Sequence, residues 1–62
     1  MTGIELKLAR VRLGRTQWVL ALQLGVHPAR LSEMERSQRP VPDEVAVQVR
    51  ELEAAAVGAV DA

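Results

Sequence analysis

The sequence predicts an all-α domain, a compact bundle of four helices with a fifth helix as an open alternative. Apolar residues recur at spacings of three and four, which is the period of an amphipathic helix. Glycine or proline stands where these runs break, and no run alternates as a strand would. The chain has 62 residues and no cysteine, so we expect one small domain without a disulfide framework or a thiolate metal site.

The first helix is predicted over residues 4–13. The residues that share one of its faces at helical spacing are Leu6, Ala9, Arg10 and Leu13. Gly14 follows where a left-handed residue is needed to end a helix.

The run at residues 17–36 predicts two short helices joined at Gly25. Thr16 is a good N-cap for a helix over 17–24, and Pro28 suits the first turn of a helix over 28–36. The apolar contacts between the two helices are assigned to Leu20, Ala21, Leu24, Val26, Leu31 and Met34. Two helices joined in this way form a helix-turn-helix, whose second helix fits the major groove of DNA.

A fourth helix is predicted over residues 42–57, after a loop at 37–41. Pro42, Asp43 and Glu44 suit its first turn, because proline fits the first position and acids favour the positive end of the helix dipole. Its apolar stripe is Val45, Val49, Leu52 and Ala56. We expect one domain over 1–57 and a flexible tail over 58–62.

The charges divide the chain into a basic and an acidic part, although the formal net charge is zero. Residues 1–40 hold seven basic and three acidic residues, a net +4, whereas residues 41–62 hold one basic and five acidic residues, a net −4. This asymmetry favours nucleic-acid binding by the first part. The alternative is an ordinary solvated surface with an uneven charge.

The chain resembles the Cro/Xre-type helix-turn-helix family of phage and bacterial repressors. The matching residues are Leu6, Arg10, Leu13, Gly14, Thr16, Gln17, Leu20, Ala21, Leu24, Gly25, Val26, Leu31, Ser32, Met34, Glu35 and Pro40. They cover roughly residues 4–42, and spacing, glycines and apolar positions agree together. The resemblance implies a lambda-repressor-like bundle that binds double-stranded DNA as a two-fold homodimer.

The resemblance implies that base edges are read from the outward side of the third helix. The candidates are His27, Pro28, Ala29, Ser32, Glu33 and Arg36. Glu33 could accept a hydrogen bond from the N4 amine of cytosine. Pro28 and Glu33 depart from the pattern, because family members carry glutamine, lysine or arginine there. A carboxylate that faces phosphates is repelled unless it finds a base donor or an arginine, and Arg30, three residues away on the helix, is close enough to pair with Glu33.

The candidates for contacts to DNA phosphates are Gln17, Arg15, Arg30 and Arg39, with Arg36 as a further clamp. Gln17 begins the second helix, where free backbone N–H groups can hold a phosphate and the side chain can add a donor. Arginine matches phosphate with two parallel donors. For each residue the alternative is a solvated polar side chain.

Arg10 and Glu35 are expected to form a structural ion pair. Arg10 lies on the apolar face of the first helix and Glu35 ends the third, and the resemblance implies that they join. The alternative is two independent exposed charges.

The second helix has apolar residues where the family usually has polar ones: Trp18, Val19 and Leu22. If they face water, they form a candidate protein interface. The alternative is that the N-terminal residues or the fourth helix cover them as core. Trp18 could also lie along a DNA backbone. The fourth helix, with its acidic outer face, is a second candidate surface for a copy of the chain or for another protein.

The predicted function is a sequence-specific DNA-binding regulator, a phage-type repressor that acts by occupying its operator. The alternative is a protein-interaction module or an antitoxin with weak or no independent DNA binding. No catalytic residues, cofactor or metal site are expected, because His27 is the single histidine and no nucleophile–base set is present. Without a signal peptide or membrane-length apolar run, we expect a cytoplasmic protein of a bacterium or a phage-infected cell.

Overall fold

The chain forms four helices, α1 (Gly3–Arg12), α2 (Gln17–Leu24), α3 (Pro28–Glu35) and α4 (Asp43–Asp61). The computed structural model describes the backbone of residues 1–61 and the side chains of residues 1–56. The described residues contain no strand and no fifth helix. The all-α fold predicted from the sequence is therefore confirmed, with four helices rather than five.

α1 begins one residue earlier than expected because Thr2 and Glu5 form a capping box. The Glu5 backbone N–H donates to Thr2 Oγ1 at 3.1 Å, and the Thr2 backbone N–H donates to Glu5 Oε1 at 2.8 Å. Hydrogen bonding from the Thr2 backbone first, and from its side chain second, holds the pKa of Glu5 below its usual value.

α1, α2 and α3 are each followed, within two residues, by a left-handed residue. Its φ is +68° at Gly14, +71° at Gly25 and +62° at Ser37. In each case the next N–H reaches back five residues, and these bonds run from Arg15 to Arg10, from Val26 to Ala21 and from Gln38 to Glu33. Ser37 is the one residue other than glycine with a positive φ in the described part of the chain.

The core lies where α1 and α2 pack against α3 and where α4 covers α1 and α2. Its buried side chains are Leu6, Ala9, Leu20, Ala21, Leu24, Leu31, Met34, Val45 and Val49. Val26 and Leu52 are partly buried against this cluster. Ala56, which we expected on the buried stripe of the fourth helix, is exposed.

α1 approaches the end of α3 closely through Gly3, which is buried. A Cβ atom at this position would collide with the backbone oxygen of Met34. It would also lie 3.0 Å from the Glu35 backbone oxygen and 2.8 Å from Ser37 Oγ. A side chain at residue 3 would therefore force the two helices apart.

α4 starts at Asp43, one residue later than expected, because Pro42 lies just outside it and its carbonyl accepts from the Val45 and Ala46 N–H groups. Its helical backbone continues to Asp61, four residues beyond the expected end at 57. Ala62 and the side chains from 57 onward lie outside the described residues. The division into a domain over 1–57 and a tail over 58–62 stays a prediction.

Candidate nucleic-acid interface

The outward side of α3 carries the side chains that the sequence placed there. Leu31, Met34 and Glu35 face the core. Ala29 and Arg36 are exposed, seven residues apart, so they share the opposite face. The remaining candidates lie around them: His27 and Arg30 are exposed, whereas Pro28, Ser32 and Glu33 are half-buried. α3 thus presents a polar surface with its apolar side fixed in the core.

His27 serves as the N-cap of α3, a role that the sequence did not reveal. Its Nδ1 accepts a hydrogen bond from the Ala29 backbone N–H at 3.1 Å. A ring nitrogen that accepts carries no proton, so the proton of the neutral ring lies on Nε2. Nε2–H of the exposed ring is then available to a phosphate oxygen or a guanine acceptor.

A polar cluster joins α1, α2 and α3 around Glu35. Arg10 Nε donates to Glu35 Oε2 at 2.6 Å, and Arg10 Nη2 donates to Oε1 at 3.2 Å. The Arg10 side chain is 16% exposed and that of Glu35 only 2%. Arg10 Nη1 also donates to the Arg15 carbonyl at 3.0 Å. The structure thus places the two expected partners in a largely buried ion pair with two parallel bonds.

Gln17 belongs to this cluster, which the sequence did not predict. Its amide Nε2 donates to Glu35 Oε1 at 3.0 Å, so one of the two amide protons expected to face a phosphate is engaged within the fold. The backbone N–H groups of Gln17 and Trp18 begin α2 and have no intrahelical acceptor. Both of these N–H groups can receive an anion.

Glu33 pairs with Arg39. It does not pair with Arg30, the residue that the sequence placed within reach of it on the same helix. Arg39 Nε donates to Glu33 Oε2 at 3.1 Å, and Arg39 Nη2 lies 3.1 Å from the same oxygen. The left-handed turn at Ser37 sends the chain back along α3, so Arg39 comes within reach of Glu33. Helical spacing relates only residues of the same helix, so the sequence gave no indication of this contact.

The other three arginines among the phosphate candidates remain available on the surface. Arg30 and Arg36 are exposed and Arg15 is half-buried, and none of the three forms an ion pair within the described residues. No three His, Cys, Asp or Glu side chains of the described part group as a metal site requires.

The apolar side chains of α2 are uncovered. Trp18 is 63% exposed, Leu22 is 65% exposed, and Val19 is also exposed. The alternative that the N-terminal residues or α4 cover them is wrong for the described structure, because all three side chains stay exposed although α4 packs against α2. α1 adds a stripe that sequence reasoning missed, formed by exposed Ile4, Leu8 and Val11 at spacings of four and three.

α2 and α3, packed on each other and joined by the left-handed turn at Gly25, define a helix-turn-helix DNA-binding domain. A family model described as Helix-turn-helix matches residues 6–52. The chain belongs to this family, the Cro/C1-type helix-turn-helix proteins, which are DNA-binding regulators and typically not enzymes.

Comparison with curated proteins and with solved structures gave no significant match. The matched range contains all of α2 and α3 and most of α1, so it covers the helix-turn-helix and the buried side that supports it. No helix in residues 1–61 combines the length and the apolar character that crossing a membrane would need.

Proposed function

We propose that this protein is a sequence-specific transcriptional regulator, a phage-type repressor that occupies its operator as a homodimer. The observation that carries the proposal is the outward face of α3, which the fixed core side leaves free to enter a major groove. Each subunit of a dimer would place its α3 in one of two successive major grooves, about 34 Å apart. Occupancy of the operator would be enough to block a promoter in a bacterial or phage-infected cell.

Phosphate contacts would position α3 on the duplex. The start of α2 offers the backbone N–H groups of Gln17 and Trp18 to one phosphate, and Gln17 is held there by Glu35. Arg15, Arg30 and Arg36 have no competing ion pair in the described residues. Acidic residues concentrate on α4, so this helix should point away from DNA.

A matched pair of charge changes tests this proposal. Ala29→Glu puts a carboxylate on the outward face of α3, near its N-terminus where an acid does not harm a helix. Gln48→Glu makes the same charge change at an exposed position of α4. We expect Ala29→Glu to weaken binding at least about tenfold through repulsion from phosphates, and Gln48→Glu to change it little.

The measurement is a gel-shift or anisotropy titration against duplexes from the region around the protein's own gene, at several salt concentrations. Each lost phosphate contact lowers the log–log salt slope by about 0.9. No specific retention at low salt, or equal effects of both changes, would count against DNA binding through α3.

A second candidate function is a protein-interaction module or antitoxin, and the exposed apolar residues of α2 favour it. Trp18, Val19 and Leu22 form a patch that a monomer would not usually leave open. The same patch could serve the homodimer of the first proposal, and α4 remains the other candidate surface. Sedimentation velocity of the wild type and of Leu22→Gln separates these roles.

Self-association through the patch predicts that Leu22→Gln shifts a wild-type dimer to monomer without loss of helicity. Gln23→Ala changes a polar exposed neighbour on α2 and serves as the control. A wild-type monomer that binds no DNA would instead favour the module that docks a different protein.

A further inference from the structure

The ion pair between Arg39 and Glu33 leaves one carboxylate oxygen unused. Arg39 Nε donates to Glu33 Oε2, and the Arg39 Nη2 atom lies at ion-pair distance, 3.1 Å, from that same oxygen. Within the described residues Oε1 accepts no hydrogen bond. Glu33 is therefore held by one oxygen, while the other oxygen remains an acceptor.

The turn at Ser37 fixes this arrangement on the outward side of α3, and the pair remains accessible there. The turn at Ser37 is closed by hydrogen bonds from the Ser37 N–H to the Met34 carbonyl at 3.1 Å and from the Gln38 N–H to the Glu33 carbonyl at 2.9 Å. It returns the chain so that Arg39 reaches the same residue whose carbonyl closes the turn. The Glu33 side chain is 36% exposed and that of Arg39 48%, so solvent, or a base edge, can reach the pair.

A bare carboxylate on a DNA-facing surface would be repelled by phosphates. Arg39 offsets that charge without covering Oε1. An ionised carboxylate is an acceptor only, so in a major groove it can meet the amine of cytosine or adenine. Adenine presents an acceptor, N7, beside its amine, which does not suit a carboxylate that can only accept. Cytosine presents its N4 amine, from which glutamate accepts.

We infer that Arg39 is a positioning residue that acts through Glu33 to select a cytosine–guanine pair at one position of each half-site. Arg39 holds Oε2, and Oε1 accepts from cytosine N4. The inference rests on the proposed function, because it names what the DNA-binding face of α3 prefers. It also replaces the role of phosphate clamp that the sequence assigned to Arg39.

The test is selection of bound duplexes from a randomised pool by the purified full chain, followed by affinity measurements on single-position variants of the enriched site. Wild type should enrich cytosine at one position of each half-site. Glu33→Gln should move the preference at that position toward adenine, since a glutamine amide pairs with its N6 and N7.

Arg39→Met should keep the rest of the site but reduce the preference for cytosine at that one position by about fivefold or more, because Glu33 is no longer held. Arg30→Met is the matched control: it removes an exposed arginine of α3 that has no ion pair in the described residues. It should leave the base preference intact and lower the salt slope by about 0.9. Should Arg39→Met fold poorly by circular dichroism, Arg39→Lys keeps the charge, loses the planar fork, and should weaken the preference at the same position.

Three results would overturn the inference. No enriched sequence with wild type would remove the proposed function and this inference with it. An enriched site whose base preferences Glu33→Gln leaves unchanged would remove Glu33 as a reader while the proposed function stands. A preference that survives Arg39→Met, with weaker binding to every duplex and a lower salt slope, would make Arg39 a phosphate clamp.

Discussion

α2 and α3 have the same length, eight residues each, and their inner sides meet in the same core. The surfaces that they present to solvent nevertheless differ in polarity. α2 exposes Trp18, Val19 and Leu22. α3 exposes Ala29 and Arg30, and the residues that flank it, His27 and Arg36, are also exposed. Hydrophobic burial and turn chemistry constrain only the inner sides and the ends of the two helices. The outer sides are free of that constraint, and they are where a DNA-facing surface and a protein-facing surface can differ.

The largest expected effect tests this division within a single helix. Leu20 is fully buried on α2, and Leu22 is exposed two residues later. We expect Leu20→Ala to lower the free energy of unfolding by about 3 kcal/mol through lost burial and an unfilled cavity. Leu22→Ala should change it by less than about 0.5 kcal/mol. Urea denaturation followed by circular dichroism measures both, and similar losses would contradict the division.

A second test breaks the polar cluster that links the start of α2 to the end of α3. Arg10→Ala strands the Glu35 carboxylate in a nearly dry site, so we expect a loss of about 3 kcal/mol. Arg12→Ala is the control on the same helix, because its bridge to Glu53 spans 3.8 Å and the Arg12 side chain is 71% exposed. That change should cost less than about 0.5 kcal/mol. An Arg10→Ala variant as stable as wild type in thermal melts would refute the role of the cluster.

Close packing sets α3 apart from α2, because only α3 has its end pressed against Gly3. Gly3→Ala adds a methyl group that collides with the Met34 backbone oxygen, and we expect it to cost about 2 kcal/mol. Ile4→Ala, at the next and exposed position, should be close to neutral. Equal melting temperatures for the two variants would show that α1 can shift without cost.

The ends of α2 and α3 share one backbone geometry but use different residues. Gly25→Ala places a Cβ in a left-handed conformation and should cost about 1 kcal/mol, whereas Ser37→Gly removes that strain and should gain up to about 1 kcal/mol. Chemical denaturation should therefore give opposite signs for the two changes. A loss of stability with Ser37→Gly would indicate that the serine hydroxyl stabilises the turn.

The smallest effect concerns pH. Neither α2 nor α3 has an acidic residue in its first turn, whereas α1 has Glu5, whose pKa is lowered by hydrogen bonds from Thr2. A lowered folded-state pKa means that this contribution is present above the unfolded-state pKa and is lost as pH falls through the folded-state value. NMR titration should show the Glu5 pKa rising toward its usual value in Thr2→Ala. No change in that variant would disprove the cause.

The helix-turn-helix could be predicted from the sequence because its signals are local. Leu20, Leu24 and Leu31 follow the helical period, and Gly25 marks the turn between the two helices, so α2 was expected with the bounds that the structure has. The start of α1 was missed by one residue although Thr2 and Glu5 have the capping-box spacing. The His27 cap and the Ser37 turn carry no comparable signal, because neither residue type is the usual choice at its position.

The candidate site could be predicted only in part, because helical spacing does not show which residues from other segments come close to α3. Spacing along a helix decides which side chains share a face, and so Ala29 and Arg36 were assigned together. The same reasoning gave Arg30 as the partner of Glu33, whereas the structure gives Arg39. The partner of a charge depends on where the chain goes after the helix ends, and no periodicity records that path.

The sequence by itself determined the helices and their inner sides, because hydrogen bonding within a few residues and a 3.6-residue period govern both. It also determined the division of charge, which follows directly from where the charged residues stand in the chain. Only the tertiary structure decided that Gln17 donates to Glu35, that Gly3 lies against the end of α3, and that the apolar side of α2 stays open. These features join or separate residues far apart in the chain. Their distances follow from how four helices pack around one core, and local sequence carries no measure of that.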